Sequence, residues 1–303
     1  EEVISKIISK SSVFIKKFKP DAVLIYGDTN SCLSAISAKK NKIPIFHMEA
    51  GNRSFDDRVP EEINRRIIDH ISDINIVLSE QARRNLLREG IKPDTIFKSG
   101  SHMFEVIKNN INKINNSSIL KKLRLNKKEY FVISIHREEN VDNKHKLSKI
   151  LELMKTLAKN YPKKSFIFST HPRTKKRLNE FGISKLKNFN FLKPFSFSDY
   201  CNLQINSYCC ISDSGTIFEE SSILNFPAAS LRNSHERQEA IDSGAVIMFD
   251  ENVKNISNLI KLAVENNNII NFTDDYKNEN VSSKIIKIIY GYISSTNSKV
   301  WFK

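Results

Sequence analysis

No stretch of this chain approaches the roughly 18 consecutive apolar residues of a membrane span, and no signal-peptide pattern opens it, so a soluble cytoplasmic protein is expected. Cysteine is scarce. Cys32, Cys201, Cys209 and Cys210 lack the spacing of a metal site, and the adjacent Cys209 and Cys210 read as strand residues, which points to a reducing compartment. Gly and Pro number only 8 each in 303 residues, leaving a globular composition with 40% apolar and 27% charged residues. No repeat with a period of about 20 to 50 residues is present. P-loop spacing and Gly-x-Ser-x-Gly are both missing, so neither an NTPase nor a serine hydrolase is supported. His47-x-Glu49 has no Pro-Cys-x-x-Cys after it, which removes a zinc deaminase. The chain begins at Glu1 instead of methionine, and a start inside a longer protein is expected.

What the chain has in excess is positive charge: 48 Lys and Arg against 34 Asp and Glu, a net +14. An anionic partner is favoured. The paired lysines (Lys16-Lys17, Lys39-Lys40, Lys121-Lys122, Lys163-Lys164, Lys175-Lys176) are scattered and not interleaved with aromatics, so solvated lysines or a phosphate-bearing small molecule rank ahead of nucleic acid.

Short apolar runs alternate with amphipathic helical patterns from end to end. Strands are expected at 22–26, 43–46, 74–78, 96–98, 130–135, 165–169, 189–192, 208–211, 228–231 and 245–249, with helices such as 61–70, 80–89, 146–160 and 216–224 between them. This pattern predicts βαβ units, mostly parallel sheets and an α/β fold of two Rossmann-like domains with a cleft between them. The Asn- and Lys-rich segment 109–128 reads as the boundary. The expected division is a partial N-terminal domain at 1–115, a linker at 116–128, a C-terminal nucleotide-binding domain at 129–290 and a frayed tail at 291–303.

Ligands of open α/β sheets sit beyond the carboxyl ends of the strands, and compact polar signatures fall at those ends. They are Gly27-Asp28-Thr29-Asn30, His47-Met48-Glu49-Ala50-Gly51, His136-Arg137-Glu138-Glu139-Asn140, Ser169-Thr170-His171-Pro172-Arg173, Asp213-Ser214-Gly215-Thr216 and His235-Glu236-Arg237-Gln238-Glu239. The stretch from Ile43 to Arg66 is the richest, and Pro60, Glu61 and Glu62 in it open a helix with proline and acids in the first turn. Bland readings stand beside these: a charged loop for 47–58, a helix cap for Asp28, a core histidine for His136. Small residues at Ser214-Gly215 leave backbone N–H groups open to an anion at a helix start, which suits a diphosphate. Glu219 and Glu220, one turn on, are placed to reach ribose hydroxyls.

In this order the signatures resemble the non-hydrolysing UDP-N-acetylglucosamine 2-epimerase family over nearly the whole chain. The strings Gly27-Asp28-Thr29-Asn30-Ser31-Cys32, His47-Met48-Glu49-Ala50-Gly51-Asn52-Arg53, His136 to Asp142 and Ser169 to Thr174 look most like the branch that makes UDP-N-acetyl-L-fucosamine from UDP-2-acetamido-2,6-dideoxy-L-talose for surface polysaccharide. The resemblance implies a GT-B-type arrangement of the two domains, a UDP-sugar substrate, a homodimer, and neither cofactor nor metal. It implies catalytic carboxylates at Asp28, Glu49 and Glu61, a catalytic histidine at His136, UDP contacts at Ser214, Gly215 and Glu220, and a cleft arginine at Arg237. Arg137 and His171 match positions that line a second, regulatory nucleotide-sugar site in some members.

The chain departs from the family pattern in three places. Thr216 stands for a second glycine, Gln238 stands for a proline, and nothing matches the family's opening strand and Gly-Thr-Arg-Pro-Glu loop. The N-terminal domain is therefore expected to be incomplete by its first three β-α units, with a separate N-terminal segment as one conceivable partner. In a strand order of 3-2-1-4-5-6, the strand at 22–26 then becomes a sheet edge. Besides an epimerase, two other readings stay open: a silent nucleotide-sugar-binding remnant and, less favoured because Glu49 and Glu61 have no clear job there, a GT-B glycosyltransferase.

Overall fold

The computed structural model describes residues 1–182, 188–267 and 273–303. Each of the ten expected strands is present: β1 (Val23–Tyr26), β2 (Ile45–Met48), β3 (Ile74–Val77), β4 (Ile96–Lys98), β5 (Tyr130–Ser134), β6 (Ser165–Ser169), β7 (Phe189–Leu192), β8 (Cys209–Ser212), β9 (Ala228–Leu231) and β10 (Ile247–Phe249). The chain forms two compact units, one of residues 1–105 with 274–303 and one of residues 106–273. Among the described residues no helix is long and apolar enough to cross a membrane.

The first unit holds a four-stranded parallel sheet in the order β1-β2-β3-β4. Parallel neighbours need crossover connections, and the helices Ser34–Lys40, Pro60–Ile71 and Glu80–Arg88 supply them. Every residue of β2 and β3 is buried, as apolar runs covered on both faces should be. β1 is the edge, where Leu24 is 45% and Tyr26 57% exposed. That is unusual for an apolar strand.

The second unit is a six-stranded parallel sheet in the order β10-β9-β8-β5-β6-β7. Counted from β5, the order is 6-5-4-1-2-3, so the direction of winding reverses between β5 and β8. Ligands of doubly wound sheets bind where that reversal occurs. β5 runs into His136 and Arg137, and β8 runs into Asp213, so the sequence puts its polar signatures at the switch point. Beneath them Phe131 stacks on Phe166 at 4.8 Å and meets Tyr161 and Tyr208 edge-on at 5.3 Å.

Two expectations about domain limits differ from the structure. Most of the boundary segment 109–128 is helical, in the helices Met103–Asn115 and Ile119–Leu123, because Ile107, Ile114 and Ile119 bury one face and leave most of the Asn and Lys residues in solvent. The segment read as a frayed tail continues the helix Val281–Thr296 into a π-helical turn, Asn297–Trp301. Val281 and Ile285 of that helix are buried against Phe46, Met48, Ile74 and Ile76, so residues 274–303 belong to the first unit and not with 129–273.

Phe131 is fully buried at the centre of its aromatic cluster. Phe131→Ala should cost about 3–5 kcal/mol in the unfolding of the second unit, read by urea denaturation followed by circular dichroism. A loss below about 1 kcal/mol would contradict the packing described.

Candidate active site

In the first unit the site grows from the ends of two neighbouring strands. After β2 the backbone turns sharply, with Glu49 at φ 65° and Gly51 at φ 78°. Only glycine fits at position 51, since a Cβ there would lie 2.2 Å from the Ala82 carbonyl oxygen. For Glu49 the left-handed conformation costs on the order of 1 kcal/mol, and such strain survives where the surroundings impose it. The turn carries the Glu49 carboxylate toward β1, where one of its oxygens is 3.5 Å from the place a Gly27 Cβ would occupy. Asp28 follows directly, with its carboxylate 2.7 Å from Arg65 Nε. Asp28 and Glu49 thus stand just past the ends of the paired strands β1 and β2.

Glu61 lies half-buried in the first turn of the helix Pro60–Ile71, and its neighbour Glu62 is fully buried. Glu62 accepts the Ser54 N–H at 2.9 Å, the Ser54 hydroxyl at 3.0 Å, the Phe55 N–H at 3.2 Å and Arg65 Nη1 at 3.0 Å. Burial pushes the Glu62 carboxyl up, but the Ser54 bonds and the Arg65 charge outweigh it, and the net shift is downward. An ionised Glu62 therefore ties the loop after β2 to the helix bearing Glu61, and Arg65 joins that assembly to Asp28.

In the second unit Asp213, wholly buried, accepts the backbone N–H groups of His136 at 3.0 Å and Arg137 at 2.9 Å and the Asn140 amide at 3.0 Å. His136 Nδ1 is 3.0 Å from the same carboxylate, and the half-exposed ring is 5.8 Å from that of exposed His171. Burial raises the Asp213 carboxyl, while His136, Asn140 and the Arg137 N–H more than reverse this. Ser214 and Gly215 precede the helix Ile217–Leu224. Glu236 closes over Gly215: its carboxylate would be 2.6 Å from a Cβ there, is 2.6 Å from Arg232 Nη2 and is 3.5 Å from Arg137 Nη2.

Glu220 is buried, its carboxylate 2.7 Å from Gln204 Nε2, and burial raises its pKa. Arg237 is also buried, with Nε 3.3 Å from Glu219. Expected as a further cation of the site, it spends part of its charge on that carboxylate. Among the described residues no cluster of three or more His, Cys, Asp or Glu is placed to hold a metal.

These two sets of strand-end residues can be compared with known proteins. The family model for UDP-N-acetylglucosamine 2-epimerase matches residues 1–290. The chain belongs to this family. A UDP-N-acetylglucosamine 2-epimerase of Methanocaldococcus jannaschii is 36% identical over 299 residues, covering 96% of this chain and 81% of its own length. The structure of UDP-N-acetylglucosamine 2-epimerase from Rickettsia bellii superposes with a TM-score of 0.91 at 50% identity, covering 100% of this chain and 82% of that one. The M. jannaschii enzyme in complex with UDP-GlcNAc and UDP gives a TM-score of 0.86 at 35% identity, covering 95% and 80%. The fold is that of the GT-B-like epimerases, and the relatives are isomerases.

Two departures from the family pattern are accommodated locally. Thr216 Oγ1 lies 3.0 Å from Ser214 Oγ, and Gln238 opens the short helix Gln238–Asp242 at the position where proline fits equally well. Sequence reasoning missed Arg65, Glu62, Asp69 and the tethering role of Asp213. Their only signal was a charged residue on the apolar face of a helix or at a strand end, which says that a partner exists without saying which one.

The lowered Asp213 carboxyl fixes the sign of a pH effect. Its stabilisation is complete above the unfolded value, about 3.9, and drains away as pH falls through the lower folded value. Asp213→Asn should cost about 1–3 kcal/mol at pH 7, with the gap from wild type narrowing below about pH 4. Denaturant titrations at pH 7 and pH 3 measure this, and a gap that widens on acidification would contradict the assignment.

Proposed function

We propose that this chain inverts C2 of a UDP-2-acetamido sugar by eliminating and re-adding UDP. The observation that supports the proposal is that Asp28 and Glu49 stand just past the ends of the paired strands β1 and β2, with the Glu49 carboxylate beside Gly27. The C2 proton of such a sugar has no adjacent carbonyl to acidify it, so simple deprotonation is too hard. Loss of UDP from C1 with the C2 proton gives a 2-acetamidoglycal, and re-addition of UDP with a proton on the opposite face completes the inversion. Acid and base groups are needed on two faces, a division for which Asp28, Glu49, Glu61 and His136 are the candidates.

Departing UDP carries its charge on a phosphate oxygen. The Ser214 hydroxyl, the Gly215 backbone and the helix start behind them would stabilise that charge in the second unit once the Glu236 carboxylate draws back from Gly215. Glu220 is the proposed ribose acceptor, Arg237 is proposed to add positive charge nearby, and Arg137 and His171 to line a second nucleotide-sugar site. UDP-N-acetylglucosamine is the substrate that the relatives' names support. UDP-2-acetamido-2,6-dideoxy-L-talose is the second reading, supported by the four motif strings from Gly27 to Thr174. A cytoplasmic homodimer is the setting proposed for either reaction.

Incubation with each UDP-sugar in deuterated water discriminates. Deuterium at C2 of one sugar and not the other names the substrate, and no incorporation into either removes the epimerase reading. In the same assay Glu49→Gln should lower exchange by about 100-fold or more with UDP binding retained. Wild-type exchange in that variant would take Glu49 out of the mechanism. Glu220→Ala removes a charged acceptor and should weaken UDP by roughly 1.5–3 kcal/mol, read by calorimetry. An unchanged dissociation constant would dismiss the ribose contact.

A further inference from the structure

We infer that Asp69 is the positioning residue for Glu49, acting through the backbone of the turn after β2 and never touching substrate. The Asp69 side chain is 0% exposed on the helix Pro60–Ile71, below that turn. One carboxylate oxygen accepts the Gly51 N–H at 3.1 Å and lies 2.7 Å from Arg53 Nη1, and the other is 2.7 Å from His47 Nδ1. The three partners flank Glu49 in sequence on both sides. His47 is the last β2 residue but one, and Gly51 and Arg53 lie just past the turn. A single buried carboxylate therefore fixes the two ends of the segment whose middle holds the left-handed Glu49.

Three further contacts close the turn. Ala50 N–H donates to the Ile76 carbonyl at 3.3 Å, Asn85 Nδ2 donates to the Gly51 carbonyl at 3.0 Å, and Gly51 packs on the Ala82 backbone. Arg53 is held in its turn by a bidentate pair with Glu89, both contacts 2.7 Å. Burial raises the Asp69 carboxyl, but His47 and Arg53 outweigh it and hold the carboxyl below its usual range. An ionised acceptor binds an N–H more strongly than a neutral one, so the charge is what gives the Gly51 tether its strength. With both flanks fixed, the φ of Glu49 follows, and with it the direction in which its side chain leaves the backbone, on the side of Gly27.

The kinetic consequence rests on the epimerase reading, but the conformational one does not, and the test uses both. Asp69→Asn keeps the shape and removes the charge. Asn85→Ala, at a partly exposed residue, loosens the same turn while leaving the buried charges alone. Backbone carbon shifts of Glu49 and the amide shift of Gly51, from NMR of the full chain, report the turn directly. In both variants Glu49 should lose its left-handed signature, and kcat for C2 exchange should fall about 10- to 100-fold, more in Asp69→Asn, while KM stays within about twofold. A residue that merely holds the fold would lower the folded fraction and leave the kcat of the folded molecules alone. Unchanged Glu49 shifts in both variants, or a kcat per folded molecule within twofold of wild type, would overturn the inference. If Asp69→Asn does not fold, Asp69→Glu, which keeps the charge and displaces the acceptor of the Gly51 N–H, is measured by the same two readouts in its place. A wild-type chain with no exchange on any UDP-sugar would instead remove the epimerase reading, and the NMR outcome would still settle the positioning role.

Discussion

A buried carboxylate that accepts backbone N–H groups anchors the strand-end turn in each unit, and the polar chemistry of the chain hangs from these two anchors. Asp213 holds the amides of His136 and Arg137, and Asp69 holds the amide of Gly51. Taking a carboxylate out of water is costly unless its lone pairs are filled and its charge is opposed. Both requirements are met here by residues of the very segments being anchored. The expense of burial is thereby converted into rigidity at the places where side chains must point in one direction.

The same logic explains why the polar residues of the first unit form a chain of pairs. Glu62 fixes the loop at Ser54 and Phe55, Arg65 bridges Glu62 to Asp28, and Arg53 bridges Asp69 to Glu89. An arginine between two carboxylates can satisfy both with its fork of donors, which lysine cannot do as a point charge. The helix Pro60–Ile71 carries one catalytic candidate, Glu61, toward partial exposure, and three supporting residues, Glu62, Arg65 and Asp69, inward at three- to four-residue spacing. One helix thus serves both roles through its periodicity alone.

Much of this was legible in the sequence because buried parallel strands have a simple signature. Runs such as Ile74 to Val77 and Phe131 to Ile133 announce themselves, and the polar bursts that end them mark the switch point without any knowledge of strand order. The strand-end placement of Asp28, Glu49, His136 and Gly215 was read in this way. Long-range pairing was not legible. Nothing in Asp69 or Arg65 distinguishes a buried ion pair from a solvated face, because the partner lies 16 to 37 residues away and only the fold brings it close. The misread limits have a related cause. Asn, Lys and Ser in 109–128 and 291–303 describe the wet side of helices whose apolar stripes are sparse, so composition masked periodicity.

The first unit is built from both ends of the chain, and this has a consequence for the order of events during synthesis. Phe46, Met48, Ile74 and Ile76 are covered by Val281 and Ile285, with Ile288, Ile289, Tyr292 and Ile293 beside them. At roughly 5–20 residues per second, this face of the sheet waits on the order of 10 s or more on the ribosome before its covering helix emerges. The second unit, contiguous from 106 to 273, has all its strands by then. Vectorial synthesis thus completes the two units out of order: β1 to β4 are made before β5 to β10, but the face of their sheet is covered only after the second unit has all its strands.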